Sequence, residues 1–513
     1  MEKENKDKKI KGYTHFDCRS SYEQNYEYVS NSKNISTHGF YPLIHFVDVH
    51  RKYDSNSEKK FKEKKRLLYY SSHIDRSIYI HYSKMLNAKY NSKADELGIS
   101  NSVIAYRTNM KGKSSYHFAL NAFSKMREFG RCNVMIGDFT SFFDNLDHRF
   151  LKSKIKELMN YEKLPDDWYN VFKSLTDFSY VELGSLIYNE CTKRLLNGKT
   201  ARFEQSENGY AKCLMHRDDI SFDKNKERQN THLCVNPRCC KYFNEFERVK
   251  LSEYKNLNLV KKSGEKSDGT RIKPEKGIPQ GTAISATLAN IYMIDFDKKM
   301  NSLVEIHSGT YMRYSDDFIV ILPEECNFKS VYEELKKIIA SVKLEVKDEK
   351  TQIFKVDIDA NEKVKCVMSD YIEGVCPNKS KIEYLGLAYT GNSVIIKEAT
   401  KNKFLRRANR KLKSIENQRK FCGGEQNVGS INFRRGYTQF GAIPRKYKNA
   451  SGNYLTYENR ANKEIYEKFD ELGKPENIEA RMDKMMKRLF NTKQREKSPS
   501  LKNAFMIFEF DDT

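Results

Sequence analysis

The stretch "RYSDDFIVIL", Arg313 to Leu322, constrains this chain most: two adjacent carboxylates, Asp316 and Asp317, are followed at once by five apolar residues. A run of that kind is a buried strand. With "TYM" upstream the segment reads as strand, turn, strand, and the carboxylates sit at its polar tip. Taken alone, Asp at a turn is ordinary solvated chemistry. A second strand of the same type, "CNVMIGDF", is apolar from Val134 to Ile136 and ends in Asp138. If the two strands are neighbours in one sheet, Asp138 and Asp316 meet at the same edge. Their repulsion is then relieved by a hard cation. Mg²⁺ accepts one or two protein carboxylates and takes its other oxygens from water and phosphate. Two such ions about 3.5–4 Å apart can serve both oxygens of an in-line phosphoryl displacement.

The rest of the chain divides around these strands. Up to about Asn56 it is polar and mixed, with "GFYPLIHFVDV" as the main apolar segment; Ser57 to about Gly130 reads as mostly helical. Residues 151–175 read as helix with a boundary at Pro165. A polar, lysine-rich region from Thr176 to Lys276 holds five of the eleven cysteines. After "GIPQG", the run "TAISATLANIYMIDFDKKM" is helical. "VYEELKKIIASVKLEV" is helical too, and "IEYLGLAYTGNSVII" reads as a hairpin with Gly391 at its turn. "KFLRRANRKLKSI" is a basic amphipathic helix, with Leu405, Ala408, Leu412 and Ile415 on one face. No internal repeat is present.

Charge decides the partner class. Lys and Arg number 92 against 69 Asp and Glu, a net +23, which favours a polyanion such as nucleic acid because each neutralised phosphate releases counterions. No apolar run approaches the ~20 residues of a membrane span, and the opening "MEKENKDKKIKGY" lacks the apolar core of a secretory signal. Irregularly spaced cysteines suit a reducing, cytoplasmic setting.

Five blocks occur in order: "GDFTSFFDNLDH" (Gly137 to His148), "GIPQGTAISATLANIYM" (Gly277 to Met293), "RYSDDF", "DEKT" (Asp348 to Thr351) and "YLGL" (Tyr384 to Leu387). In this the chain resembles the reverse transcriptase family over about Lys65 to Ile415. The resemblance implies an α+β right-hand polymerase with a palm sheet, mostly helical fingers, a helical thumb and a C-terminal extension. It implies RNA-directed DNA synthesis from dNTPs with two Mg²⁺ ions. Asp138 and Asp316 match the metal ligands, with Asp317 a less direct third carboxylate. Phe143 matches the aromatic under the sugar that excludes a 2′-hydroxyl, with Phe142 beside it as core. Gln280 matches the residue that approaches the incoming nucleotide; Ser285 and Asn290 match the family but suit packing equally. Lys350 matches the lysine that protonates pyrophosphate, a role requiring a lowered pKa. In "RLLYYSSHIDRSIY", Arg66 and Arg76 match fingers arginines that hold triphosphate, although the family's Pro-Leu-Gly-Ile-Pro core is missing. Arg107 is a further candidate phosphate or template contact. Arg406, Arg407, Arg410 and Lys411 suit a thumb helix tracking the nucleic-acid backbone.

Seven segments follow: residues 1–56 N-terminal, 57–133 fingers, 134–160 first part of the palm, 161–276 a helical, cysteine-containing insert, 277–390 second part of the palm, 391–445 thumb and 446–513 a C-terminal helical extension. Within the insert, Cys213, His216, Cys234 and Cys239 are a candidate structural zinc set with loose spacing; unligated thiols are the plainer alternative. Long insert, Tyr-Arg fingers block and extra C-terminal helices resemble the bacterial defence-associated branch, the unknown-group or abortive-infection-like enzymes. That branch implies antiphage defence with a companion non-coding RNA, in some members as homo-oligomers. Three rivals stay open: RNA synthesis, template-independent or protein-primed DNA synthesis, and a non-catalytic RNA-binding scaffold.

Overall fold

A computed structural model describes residues 13–53, 61–110, 112–186, 203–205, 211–213, 250–266, 268–346, 351–358, 364–368, 381–391, 393–421, 440 and 453–469. The α+β class is as expected. At its centre five strands lie in the order β11–β10–β3–β9–β8, where β3 is Cys132–Asp138, β8 is Thr310–Tyr314, β9 is Asp317–Pro323, β10 is Gln352–Ile358 and β11 is Val364–Met368. The β3–β9, β8–β9, β10–β3 and β10–β11 pairings are all antiparallel.

The continuous apolar runs of β3 and β9 have a direct cause: this sheet is covered on both faces. Successive side chains of a strand point to opposite faces, and here they sort into two cores. Met135, Phe318, Val320, Leu322 and Ile353 pack with residues of the helices His73–Glu96, His148–Met159, Ser285–Tyr292, Ile294–Ile306 and Phe328–Ser341. Val134, Ile136, Ile319, Ile321 and Phe354 pack with the helices Ser115–Phe129 and Tyr454–Phe469 and with a meander of β12 (Ile382–Tyr384), β13 (Leu387–Tyr389) and β14 (Val394–Ile396). Gly391 lies at the second turn of that meander with φ +94°. Pro165 caps the helix Asp166–Thr176, at the boundary expected there.

One expectation needs correction. Residues 61–70 are not helical. Phe61–Tyr70 forms β2, which pairs antiparallel with β1 (Leu43–Tyr53) through Ile44↔Tyr70 to Tyr53↔Phe61. The hairpin thus joins residues on either side of position 56. On its other edge β1 pairs in parallel with β4 (Ser179–Glu182), which pairs with β7 (Lys261–Lys262), giving the order β2–β1–β4–β7. A further pair, β5 (Phe203–Gln205) with β6 (Ala211–Cys213), stands apart. The helical reading holds from His73 onward, where Ser72 accepts from the Asp75 amide as N-cap.

In the long basic helix Glu398–Phe421 the expected apolar face is seen at Leu405, Ala408 and Leu412, buried with Phe404 and Leu455, and Phe404 stacks on Tyr454; the Ile415 side chain lies outside the described residues. Arg406, Arg407 and Arg410 are exposed and Lys411 is half-buried. No helix among the described residues is long and apolar enough to cross a membrane.

Candidate active site

The sheet brings the expected carboxylates together. Asp138 ends β3 and is the register partner of Asp317, the first residue of β9. Asp316 precedes it in the turn, where the Phe139 amide donates to its carbonyl at 3.2 Å. The Asp138 and Asp316 carboxyls lie side by side. Burial, first, and then the negative neighbour Asp138 raise Asp316 above the usual carboxylate range. Burial, with Asp316 and Asp138 beside it, pushes Asp317 up to about 7. Two carboxyls in contact at a half-buried edge are under electrostatic load that a cation would relieve.

The donor set decides which cation fits. Among the described residues no group of three or more His, Cys, Asp or Glu side chains forms a ready metal cage. This edge offers two hard oxygen donors with a third carboxylate adjacent, which fits Mg²⁺ completed by water and phosphate oxygens.

Around the carboxylates, the Pro-Gln-Gly loop is fixed from two sides. The Gly277 amide donates to Leu146 O and the Ile278 amide to Phe143 O, while the Tyr69 amide of β2 donates to Gln280 O at 2.9 Å. The buried His148 donates through Nε2 to Gly277 O at 2.6 Å; Ser285 donates to Pro279 O at 2.7 Å. Gly281 adopts φ +115°, and a Cβ there would lie 2.5 Å from Tyr69 O. Only glycine permits this approach of loop to strand. Phe143 is half-buried, edge-on to Phe142, and Phe142 belongs to the core.

Two cations that the sequence did not single out complete the surroundings. Lys64, exposed on β2, lies close enough to lower both Asp316 and Asp317. It shares a strand face with the expected Arg66, also exposed, because they are two residues apart. Lys397, directly after β14, also lowers Asp317; its Nζ lies 2.5 Å from Glu383 Oε2 and its amide donates to Gly386 O. Arg76 is exposed in the first turn of the helix His73–Glu96.

Arg107 is a correction. It is buried, donating to Ser100 O at 2.6 Å, to Asn91 Oδ1 at 3.0 Å and to Val103 O at 3.3 Å, so its donors are taken up inside the fold. Lys350, His216, Cys234 and Cys239 lie outside the described residues, as does the Cys213 side chain.

Residues 238–389 match the sequence model of the reverse transcriptase (RNA-dependent DNA polymerase) family. That span includes the Pro-Gln-Gly loop, the Asp316–Asp317 turn and the "YLGL" hairpin of β12 and β13, and begins after the Asp138 strand. No curated protein sequence matches the chain. Among solved structures it is similar to apo telomerase from Candida tropicalis truncated from its C-terminal domain, at 11% identity and TM-score 0.37, with 69% of this chain and 55% of that one covered. It is also similar to telomerase from Candida albicans in complex with a TWJ fragment of telomeric RNA, at 11% identity and TM-score 0.36, with 94% and 68% covered. The chain thus spans little more than half of the first, and at these scores the likeness carries no functional weight. Residues 238–389 are thus similar to a reverse transcriptase domain, and the matched family and the carboxylate-edged antiparallel sheet agree on a right-hand polymerase architecture.

Proposed function

We propose that the protein is an RNA-directed DNA polymerase that adds dNTPs by two-metal phosphoryl transfer. The observation that carries this reading is the meeting of Asp138 with the Asp316–Asp317 turn at one sheet edge, within electrostatic reach of Lys64. When bound, two Mg²⁺ ions supply activation of the attacking hydroxyl and neutralisation of the departing pyrophosphate. Asp138 and Asp316 would hold them, with Asp317 as the adjacent third carboxylate. Lys64 and Arg66, on one face of the same strand, receive the triphosphate. Gln280 meets the nucleotide on a loop whose backbone is pinned, and the Phe143 ring excludes a 2′-hydroxyl. Lys350 serves as proton donor to pyrophosphate, and the exposed Arg406, Arg407 and Arg410 with Lys411 follow the template–product backbone.

In this reading the palm comprises residues 134–160 and 277–390, flanked by fingers and thumb. In the same reading the enzyme works in the bacterial cytoplasm in antiphage defence, copying a companion non-coding RNA. Purified protein supplied with Mg²⁺, an RNA template and either dNTPs or rNTPs tests the core of the proposal. Incorporation of dNTPs is expected, lost in Asp138→Asn and Asp316→Asn while RNA retention stays. Full activity in either variant removes the two-metal assignment, and preferential rNTP incorporation removes the role of Phe143.

A further inference from the structure

Beneath the Asp316 turn lies an ion pair that the chemistry above does not use. The Arg313 and Asp297 side chains are both 0% exposed. Arg313 Nε donates to Asp297 Oδ1 at 2.8 Å and Nη2 to Oδ2 at 2.6 Å, a two-pronged fork. Its remaining terminal nitrogen, Nη1, donates to Ser315 O at 2.9 Å and to Asn290 Oδ1 at 3.3 Å. Tyr311 donates its hydroxyl to the same Asp297 at 2.7 Å, and Asn290 donates onward to Ala105 O at 2.8 Å.

The target of Nη1 is informative. Ser315 is buried and has φ +62°, in the left-handed region that a residue with a side chain rarely enters. Its carbonyl belongs to the peptide that leads into Asp316. The next carbonyl, that of Asp316 itself, is held by the amide of Phe139, the residue directly after β3. The peptides on both sides of Asp316 are therefore tied, one to a buried guanidinium and one to the residue that follows Asp138.

Stability alone does not account for such a pair. Replacing a buried ion pair by apolar residues of similar volume is often neutral or stabilising. The guanidinium does what an apolar side chain cannot: it grips a carboxylate and a turn carbonyl at a fixed angle to one another. We propose that Arg313 is a positioning residue, which locks the left-handed Ser315 and thereby aims the Asp316 carboxylate at Asp138, with Asp297 as the counter-ion that makes its burial tolerable. This deepens the polymerase reading and rests on it. A lysine keeps the charge but offers a single nitrogen that cannot span both the carboxylate and Ser315 O.

The test uses the full chain, with Arg313→Met/Asp297→Leu and, separately, Arg313→Lys. Each is measured for thermal unfolding, RNA retention, dNTP kcat and KM, and affinity for Mn²⁺ alone by loss of its free electron-spin-resonance signal. The double variant is expected to unfold near the parent temperature and to retain RNA. Its kcat should fall by about 10–100-fold and its Mn²⁺ affinity by about tenfold, the scale of a lost outer-sphere partner, with KM changed much less. Parent-like kcat and Mn²⁺ affinity in the folded double variant overturn the proposal. Should that variant fail to fold, Arg313→Lys decides: the same losses in folded protein support positioning, whereas parent-like values overturn it. Losses that merely follow the folded fraction also overturn it. If the parent incorporates no dNTP the polymerase reading itself fails; if parent and variants are equally active, only this inference fails.

Discussion

Gly137 faces Phe318 across the β3–β9 pairing, one residue before Asp138 and one after Asp317. A Cβ placed on Gly137 would lie 2.2 Å from the tip of the Phe318 ring. To restore ordinary contact the ring must retreat by about 1 Å, and in a close-packed interior that space has to be taken from neighbours. Those neighbours are rings: Phe318 is fully buried, with the Phe139 and Phe296 centroids 5.4 and 6.3 Å away. Gly137→Ala should therefore cost about 1–3 kcal/mol, the usual range for an added methyl in a filled core. It should also lower dNTP incorporation per folded molecule, because the displaced ring belongs to one of the two strands that present the carboxylates and packs over the other. The diagnostic is a double-mutant cycle with Phe318→Leu. If the ring contact is the cause, the double variant is less destabilised than the sum of the singles, by about 0.5–3 kcal/mol. Denaturation of all four proteins measures this. Strict additivity, or a Gly137→Ala protein within about 0.5 kcal/mol of the parent, would refute the reasoning.

Lys64→Ala should raise the KM for dNTP about tenfold, one charged phosphate contact being lost. Lys65→Ala, on the opposite face of β2, should change it little, and equal effects in steady-state kinetics would sink the assignment. Arg107→Ala should destabilise the protein by about 3 kcal/mol or more, since buried carbonyls each lose a donor, while RNA affinity per folded molecule holds. Burial takes the His15 imidazole down to about 3, below the ordinary value near 6.5. The unfolded chain then gains a proton that the folded chain refuses, so stability falls with pH from about 6.5 toward 3. Going from pH 7 to 5 should remove about 2 kcal/mol. His15→Phe should flatten that part of the thermal-midpoint profile; an unchanged slope contradicts the burial.

What the sequence disclosed follows from how local the determining forces are. β3 and β9 were legible because a strand covered on both faces must be apolar at every position, a pattern few other elements share. Pro165 marked a helix start through its own geometry. Phe61–Tyr70 was not legible. Lys62 to Arg66 is an unbroken charged run with no alternation, and it becomes a strand because β1 offers it a partner. β4 depends on parallel pairing with a strand far earlier in the chain, which no local pattern records. Arg107 and Arg313 show the limit for charge. One had the look of a surface cation and is enclosed by loop carbonyls; the other stood inside the quoted motif, yet only its depth shows that it acts inward. Lys64 and Lys397 approach Asp317 from different sheets, a proximity that exists only after those sheets pack.

The sorting of alternate residues of β3 and β9 into two separate cores has one more outcome. A shift of either strand by a single position would turn each buried side chain toward the wrong core and would also uncouple Asp138 from Asp317. Quality control of the pairing is thus built into folding: a slipped strand forfeits its hydrophobic burial before it can misalign the chemistry. The oil-filled layers above and below the sheet thus act as the jig that holds Asp138 opposite Asp317, and only the Asp316 turn is left to Arg313.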